Sequence, residues 1–165
     1  MRNAFWLLFA VVIFAFPATG QQKFETYTNA RFGFSIEYPS DLVEIQPEST
    51  NGDGRIFRSA DGRVEIRAWA NYNALMHTVE KEAAWSIENL KDVNISYRKI
   101  SNTWFVISGT SAEKIYYQKT MYHKFEGSDV FSTFTIEYRK SEKRKFDPIV
   151  KRIEKSFRFD AKANV

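Results

Sequence analysis

The sequence predicts an α+β domain: a central, mainly antiparallel sheet covered by two main helices. Three observations carry this. From residue 63 to residue 139, apolar and β-branched runs recur at strand length, separated by turns too short for anything but antiparallel neighbours. One segment, residues 74 to 90, has its apolar residues at helical spacing. The last apolar stretch opens with Asp147-Pro148, a pairing that suits a helix start, because proline lacks the N–H that would go unpaired there.

In chain order, Phe24 to Thr28 and Phe34 to Tyr38 read as strands joined by the turn Asn29-Ala30-Arg31-Phe32-Gly33, and Pro39 ends the second. Asn51-Gly52-Asp53-Gly54 is the strongest turn signal and leads into Arg55 to Arg58. Ala60-Asp61-Gly62 then turns the chain into Arg63 to Ala70, where Val64, Ile66, Ala68 and Ala70 alternate with Arg63, Glu65, Arg67 and Trp69. That alternation predicts one buried and one charged face.

In the helix predicted over 74–90, Leu75, Met76, Val79, Ala83, Ser86, Ile87 and Leu90 share one arc, with Asn73 as the expected cap. His77 and Trp85 fall on the polar side. Four strands follow, at about 93–100, 104–110, 114–124 and 130–139. Their apolar residues at both parities predict a sheet covered on both faces. In the C-terminal helix Ile149, Val150, Ile153 and Phe157 fall together, which predicts burial of Ile153 and Phe157. Ser141 to Lys145 is expected to add an earlier turn, broken or kinked at Pro148.

The first twenty residues predict export. Arg2 supplies a basic start, Ala4 to Phe16 is an apolar run of thirteen residues, and Ala18-Thr19-Gly20 places small residues where a signal peptidase reads. Cleavage is expected before Gln21, giving a periplasmic or secreted domain over 21–165. The apolar run falls short of the roughly 20 residues that span a bilayer as a helix, and no transmembrane segment is expected in the mature chain. With no cysteine, the domain has neither disulfides nor a lipid-attachment thiol, so packing alone must hold it. The aromatic supply suits that task, since 22 of the 27 aromatic residues lie beyond the leader.

Charge is unevenly placed. Residues 139 to 162 hold ten Lys and Arg against four carboxylates, whereas residues 21 to 138 hold 13 basic and 16 acidic side chains. General polyanion binding by the whole domain is therefore unsupported, and nucleic acid is not an expected partner. The excess forms a stripe on the C-terminal helix, Arg144, Lys145, Lys151, Arg152 and Lys155, opposite the apolar residues. It reads as a solvated face or as a contact for anionic headgroups, an acidic partner or another polyanion, which makes the expected partner an unknown protein or an anionic envelope component. Trp69, on the charged parity of its strand, and Trp85, on the polar side of its helix, read either as packed under loops or as interface anchors.

Catalytic and metal chemistry finds little material. His77 and His123 stand alone, without ligand spacing around them. Ser111 in Gly109-Thr110-Ser111-Ala112-Glu113 lacks the second glycine of a nucleophile elbow. Asn51-Gly52-Asp53-Gly54 lacks the glutamate of a calcium loop. No catalytic residue, metal site or cofactor is predicted.

Two segments carry a family resemblance. Tyr27-Thr28-Asn29-Ala30-Arg31-Phe32-Gly33-Phe34-Ser35-Ile36-Glu37-Tyr38-Pro39 and Phe146-Asp147-Pro148-Ile149-Val150 through Ile153-Glu154-Lys155-Ser156-Phe157 resemble the opening and closing segments of PsbP-like domains. That superfamily includes the extrinsic subunit of photosystem II and many exported bacterial proteins. The resemblance covers nearly all of the mature chain in element order and rests on short structural motifs. It implies an α/β/α sandwich and a domain that binds or helps assemble protein partners. The matching positions are hairpin and core determinants, so it transfers no functional residue, and no photosynthetic role is implied.

The resulting expectation is an exported, non-catalytic binding or assembly domain for a protein or cell-envelope component. The alternatives are a small exported hydrolase and an inhibitor of a foreign enzyme. Convergent carboxylates in a deep pocket would favour the hydrolase; a flat apolar patch near Trp69 or Trp85 would favour binding.

Overall fold

The computed structural model describes residues 22–160; the expected leader at 1–20 lies outside them. Seven antiparallel strands form the main sheet. In spatial order they are β3 (Glu44–Ile45), β4 (Gly54–Arg58), β5 (Glu65–Tyr72), β9 (Ser128–Arg139), β8 (Lys114–Phe125), β7 (Trp104–Ser111) and β6 (Asn94–Ile100). The last four are the predicted meander. The β8–β9 loop is only Glu126-Gly127, and both residues have positive φ, the backbone twist that two-residue hairpins require.

β5 pairs with β9, with Ile66 opposite Ile136, Ala68 opposite Phe134 and Trp69 opposite Thr133. This pairing assigns every side chain of both strands to a face. On the first face Ile66, Ala68, Ala70, Val130, Phe134 and Ile136 form a core with Phe146, Ile149, Val150, Ile153 and Phe157 from the C-terminal helical segment. On the second, Phe105, Ile107, Tyr116 and Phe131 pack against Val79 and Ala83 of helix α1 (Val79–Asn89). Both faces thus carry a helix, as the mixed parities predict, the second over only part of its width.

β1 (Glu25–Asn29) and β2 (Phe34–Tyr38) form the predicted hairpin, but it belongs to a separate three-stranded sheet completed by β10 (Arg158–Phe159). β10 is too short to show a period in the sequence. Asn29, 1 % exposed, organises the hairpin. Its Oδ1 accepts from the Phe32 N–H at 2.9 Å, and its Nδ2 donates to the Gly52 carbonyl at 2.9 Å and to Tyr27 Oη at 3.0 Å. Gly33, at φ +64°, closes the turn where a β-carbon would strike Phe125.

The two helices depart from their predicted boundaries. α1 begins at Val79, capped by Thr78, whose side chain accepts from the Lys81 N–H. Asn73 does not cap it. Its side chain instead brackets His77, accepting from the N–H and donating to the carbonyl, each at 2.9 Å. This local competitor to the helix leaves Leu75 and Met76 exposed, with Met76 at φ +49°. His77 precedes the helix, where its Nδ1 lies 2.8 Å from Glu82.

Helix α2 (Lys143–Ser156) follows a 3-10 turn at Lys140–Glu142 and contains Pro148 in its interior. Asp147 is therefore no cap; its carboxylate pairs with Lys143 at 2.6 Å. An internal proline costs about 3 kcal/mol. The earlier start offsets this by placing Phe146 at 1 % exposure, stacked on Tyr138 with ring centroids 4.8 Å apart. Ser156 ties the helix end to β2 by accepting from the Glu37 N–H at 2.9 Å.

Candidate functional site

α1 lies mainly over β6 and β7. The second face of the sheet is consequently apolar under the helix and polar beyond it. Between helix and uncovered sheet lies a cleft of about 380 Å³. β5, β8 and β9 supply its floor: Trp69, Asn71, Tyr116, Gln118 and Thr133. α1 supplies one wall, with Glu82, Trp85, Ser86 and Asn89, and the Tyr72–Leu75 turn closes one end.

Trp69 and Trp85 thus meet at one site, although nothing in the sequence joins them. Trp69 is partly buried, and its cross-strand neighbours are small: Gly54 on one side and Thr133 on the other. A β-carbon at Gly54 would sit 2.6 Å from that of Trp69, so the close approach requires glycine. Trp85 stands 46 % exposed at the rim, beside exposed Tyr72 and Leu75. On the other side of Trp69 lies a second hollow, of about 310 Å³, edged by Pro47, Ser49 and Ile56.

The floor is preorganised by a buried chain of hydrogen bonds. Tyr116 Oη donates to Gln118 Oε1 at 2.5 Å, Gln118 Nε2 donates to Thr120 Oγ1 at 3.0 Å and to Ser86 Oγ at 3.4 Å, and Thr120 meets Thr133 at 2.9 Å. Burial pushes the Tyr116 phenol well above its usual range, so it stays a neutral donor. Glu82, the cleft's one carboxylate, is engaged by His77. These polar partners went unrecognised in the sequence. The signal that marks them is a run of uncharged polar residues at one parity of β8, Gln118 and Thr120, opposite Thr135 and Thr133 of β9.

No protein-family model matches the chain, and no curated protein matches it by sequence. Solved structures do match it. Cyanobacterial PsbP (CyanoP) from Synechocystis sp. PCC 6803 aligns at TM-score 0.57 and 10 % identity, over 88 % of this chain and 97 % of that one. The fold is PsbP-like. LpqN of Mycobacterium tuberculosis, described as involved in cell envelope biogenesis, aligns at TM-score 0.52 and 14 % identity, over 77 % and 83 % of the two chains. At such identities the PsbP-like likeness concerns the fold, and the site must be read from this chain's own residues.

Within this PsbP-like fold the basic stripe lies across the sheet from the cleft, because α2 packs on the first face and α1 on the second. The structure does not bring the two candidate surfaces together. It also divides the stripe. Arg152 pairs with Glu37 at 2.7 Å and lies 3.9 Å over the Phe24 ring, and Lys145 lies 3.9 Å from Glu142 and over the Phe146 ring. Arg144, Lys151 and Lys155 are exposed and have no partner among the described residues. Of the five cations of the expected stripe, three are thus unpaired among the described residues, and Lys145 and Arg152 stay about half exposed beside their partners. His123 sits apart from both surfaces, its Nε2 2.7 Å from Ser132 Oγ. Among the described residues no three His, Cys, Asp or Glu side chains gather as metal ligands, and no helix is long and apolar enough to cross a membrane.

Proposed function

We propose that this protein is an exported, non-catalytic binding domain for a cell-envelope component, and that it binds through the cleft between α1 and the sheet. One observation carries the reading. Trp69 and Trp85 converge on one concavity, and neither indole has a ring, cation or hydrogen-bond partner of its own among the described residues. Aromatic side chains left open around a preformed hollow are the usual material of binding anchors. Hydrolysis by a carboxylate pair has less support, because Glu82 is the single carboxylate on the lining and is already paired with His77. The leader-like residues 1–20 support export, and the envelope setting agrees with what is described for LpqN.

The test uses immobilised protein and an envelope fraction from the native host. A component should be retained by the wild type and released by Trp69→Ala with Trp85→Ala; equal retention by both proteins would sink the cleft as the binding surface. Intact mass of the native protein should show a chain beginning at Gln21, and retention of Met1 would sink the export reading.

A second reading rests on the unpaired ridge of Arg144, Lys151 and Lys155, which supports contact with anionic headgroups alongside occupation of the cleft.

A further inference from the structure

We infer that the cleft takes a neutral saccharide, with a pyranose ring against the indoles of Trp69 and Trp85. This rests on the cleft being the binding surface and adds the chemistry of what it binds.

Charge narrows the ligand first. Among the described residues no Lys or Arg lines the cleft, and Glu82 is contacted by His77. An anionic ligand would find no counter-charge, and a cationic one would find only Glu82, whose Oε2 already meets His77 at 2.8 Å. Leaving a buried charge uncompensated is costly, so a neutral ligand fits.

Hydrogen-bonding capacity narrows it further. Asn89 donates to the Trp85 carbonyl through Nδ2 at 2.8 Å, which leaves Oδ1 free. Ser86 Oγ accepts from Gln118, which leaves its O–H to donate. Asn71 donates to the Tyr72 carbonyl at 3.4 Å and keeps its Oδ1, and both indole N–H groups lack acceptors. The lining therefore offers unspent donors and acceptors interleaved around two aromatic faces. A sugar hydroxyl both donates and accepts, and a pyranose presents an apolar C–H face between its rims of hydroxyls, so it meets both parts of the lining. A hydrocarbon chain would meet the aromatic part alone and bury these polar atoms unpaired, which is unfavourable for each of them.

Shape sets the length. A volume of about 380 Å³ lies at the lower end of small-molecule sites, which run from about 300 to 1,000 Å³. The second hollow shares Trp69, so a linear chain can continue across that indole into it, where the charged lining residues are Asp53, Arg55 and Arg67, and the two cations are already paired with Glu48 and Glu65. Longer oligosaccharides of the right linkage should therefore bind more tightly than the disaccharide.

The experiment is a titration followed by ¹H–¹⁵N spectroscopy, with the di- and tetrasaccharides of the cellulose, chitin, maltose and xylan series as probes. Trp104, on the opposite face of the sheet, is the internal control. One series should shift the indole N–H signals of Trp69 and Trp85 and leave that of Trp104 in place, with the tetrasaccharide at least about 10-fold tighter than the disaccharide. Trp85→Ala, at an exposed position that leaves the core intact, should weaken binding by about 10-fold or more, which is about 1.4 kcal/mol. Trp69→Phe should fall between wild type and Trp69→Ala. Silence of both indoles toward every probe overturns the saccharide assignment, as do shifts that include Trp104 equally or affinity unchanged in Trp85→Ala. If the envelope fraction is still retained through the two tryptophans while every saccharide is silent, the binding reading stands and the ligand class falls. Loss of both removes the cleft from consideration.

Discussion

His123 lies face to face with Phe159, ring centroids 4.0 Å apart and planes 23° from parallel, so the last strand is held to the main sheet partly by an imidazole. Burial pushes the His123 pKa from 6.5 down to about 4. A histidine held neutral in the fold binds its proton more readily once unfolded. Its contribution is complete above about pH 6.5 and is lost as the pH falls toward about 4. Urea midpoints measured across that window should fall for the wild type and fall less for His123→Gln. Parallel midpoint curves for the two proteins would show that His123 does not set the dependence.

Phe157 is 3 % exposed, edge-on to Phe134 at 5.1 Å and to Phe34 at 6.0 Å, and so joins the main sheet to the hairpin sheet. Truncation to Ala should cost about 3–5 kcal/mol in a denaturant titration. A loss below about 1 kcal/mol would mean that the end of α2 does not bear on the sheet.

Asn29 serves three partners from a buried position, so Asn29→Ala strands the Phe32 N–H and the Gly52 carbonyl together. The expected loss is about 2 kcal/mol or more. Asn29→Asp should fail as well, since a carboxylate cannot donate to Gly52. Thermal melts of the two variants check this, and an Asp variant as stable as wild type would contradict the donor role.

The ridge of Arg144, Lys151 and Lys155 should hold the protein on anionic vesicles at low salt. Replacing all three with Gln should abolish co-sedimentation while changing stability by less than about 1 kcal/mol. Arg152→Gln should do the reverse, keeping vesicle binding and losing stability, because its guanidinium covers Phe24 and pairs with Glu37. Wild-type retention should weaken steeply between about 0.1 M and 1 M salt. Equal retention of wild type and triple variant would leave the ridge a solvated helix face.

Much of the fold was legible because it rests on local periodicity. The alternation of Val64, Ile66, Ala68 and Ala70 placed those residues on one face, and the shared arc of Ile149, Val150, Ile153 and Phe157 buried the side of α2 that it predicted. The misplaced helix starts have a common cause. At Asn73 a side chain captured the backbone that a helix would have used, and at Pro148 burial of Phe146 outweighed a local signal to begin later. Propensity near a helix end amounts to about 1–3 kcal/mol, and a single buried ring is of that size.

The sequence alone determined that a cysteine-free, aromatic-rich chain would pack a mainly antiparallel sheet between helices, and it singled out Trp69, Trp85 and the C-terminal cations. Tertiary structure alone decided that the tryptophans share a cleft, that Gln118 and Ser86 join its polar lining, and that Glu37 and Glu142 pair with Arg152 and Lys145 of the basic stripe. The physical reason is range. Periodicity is a property of neighbouring residues on one strand or helix, and it survives whatever that element packs against. A site forms where β5 meets β9 across some sixty residues of sequence and where α1 packs over β6 and β7, and those positions follow from strand register and helix packing throughout the molecule.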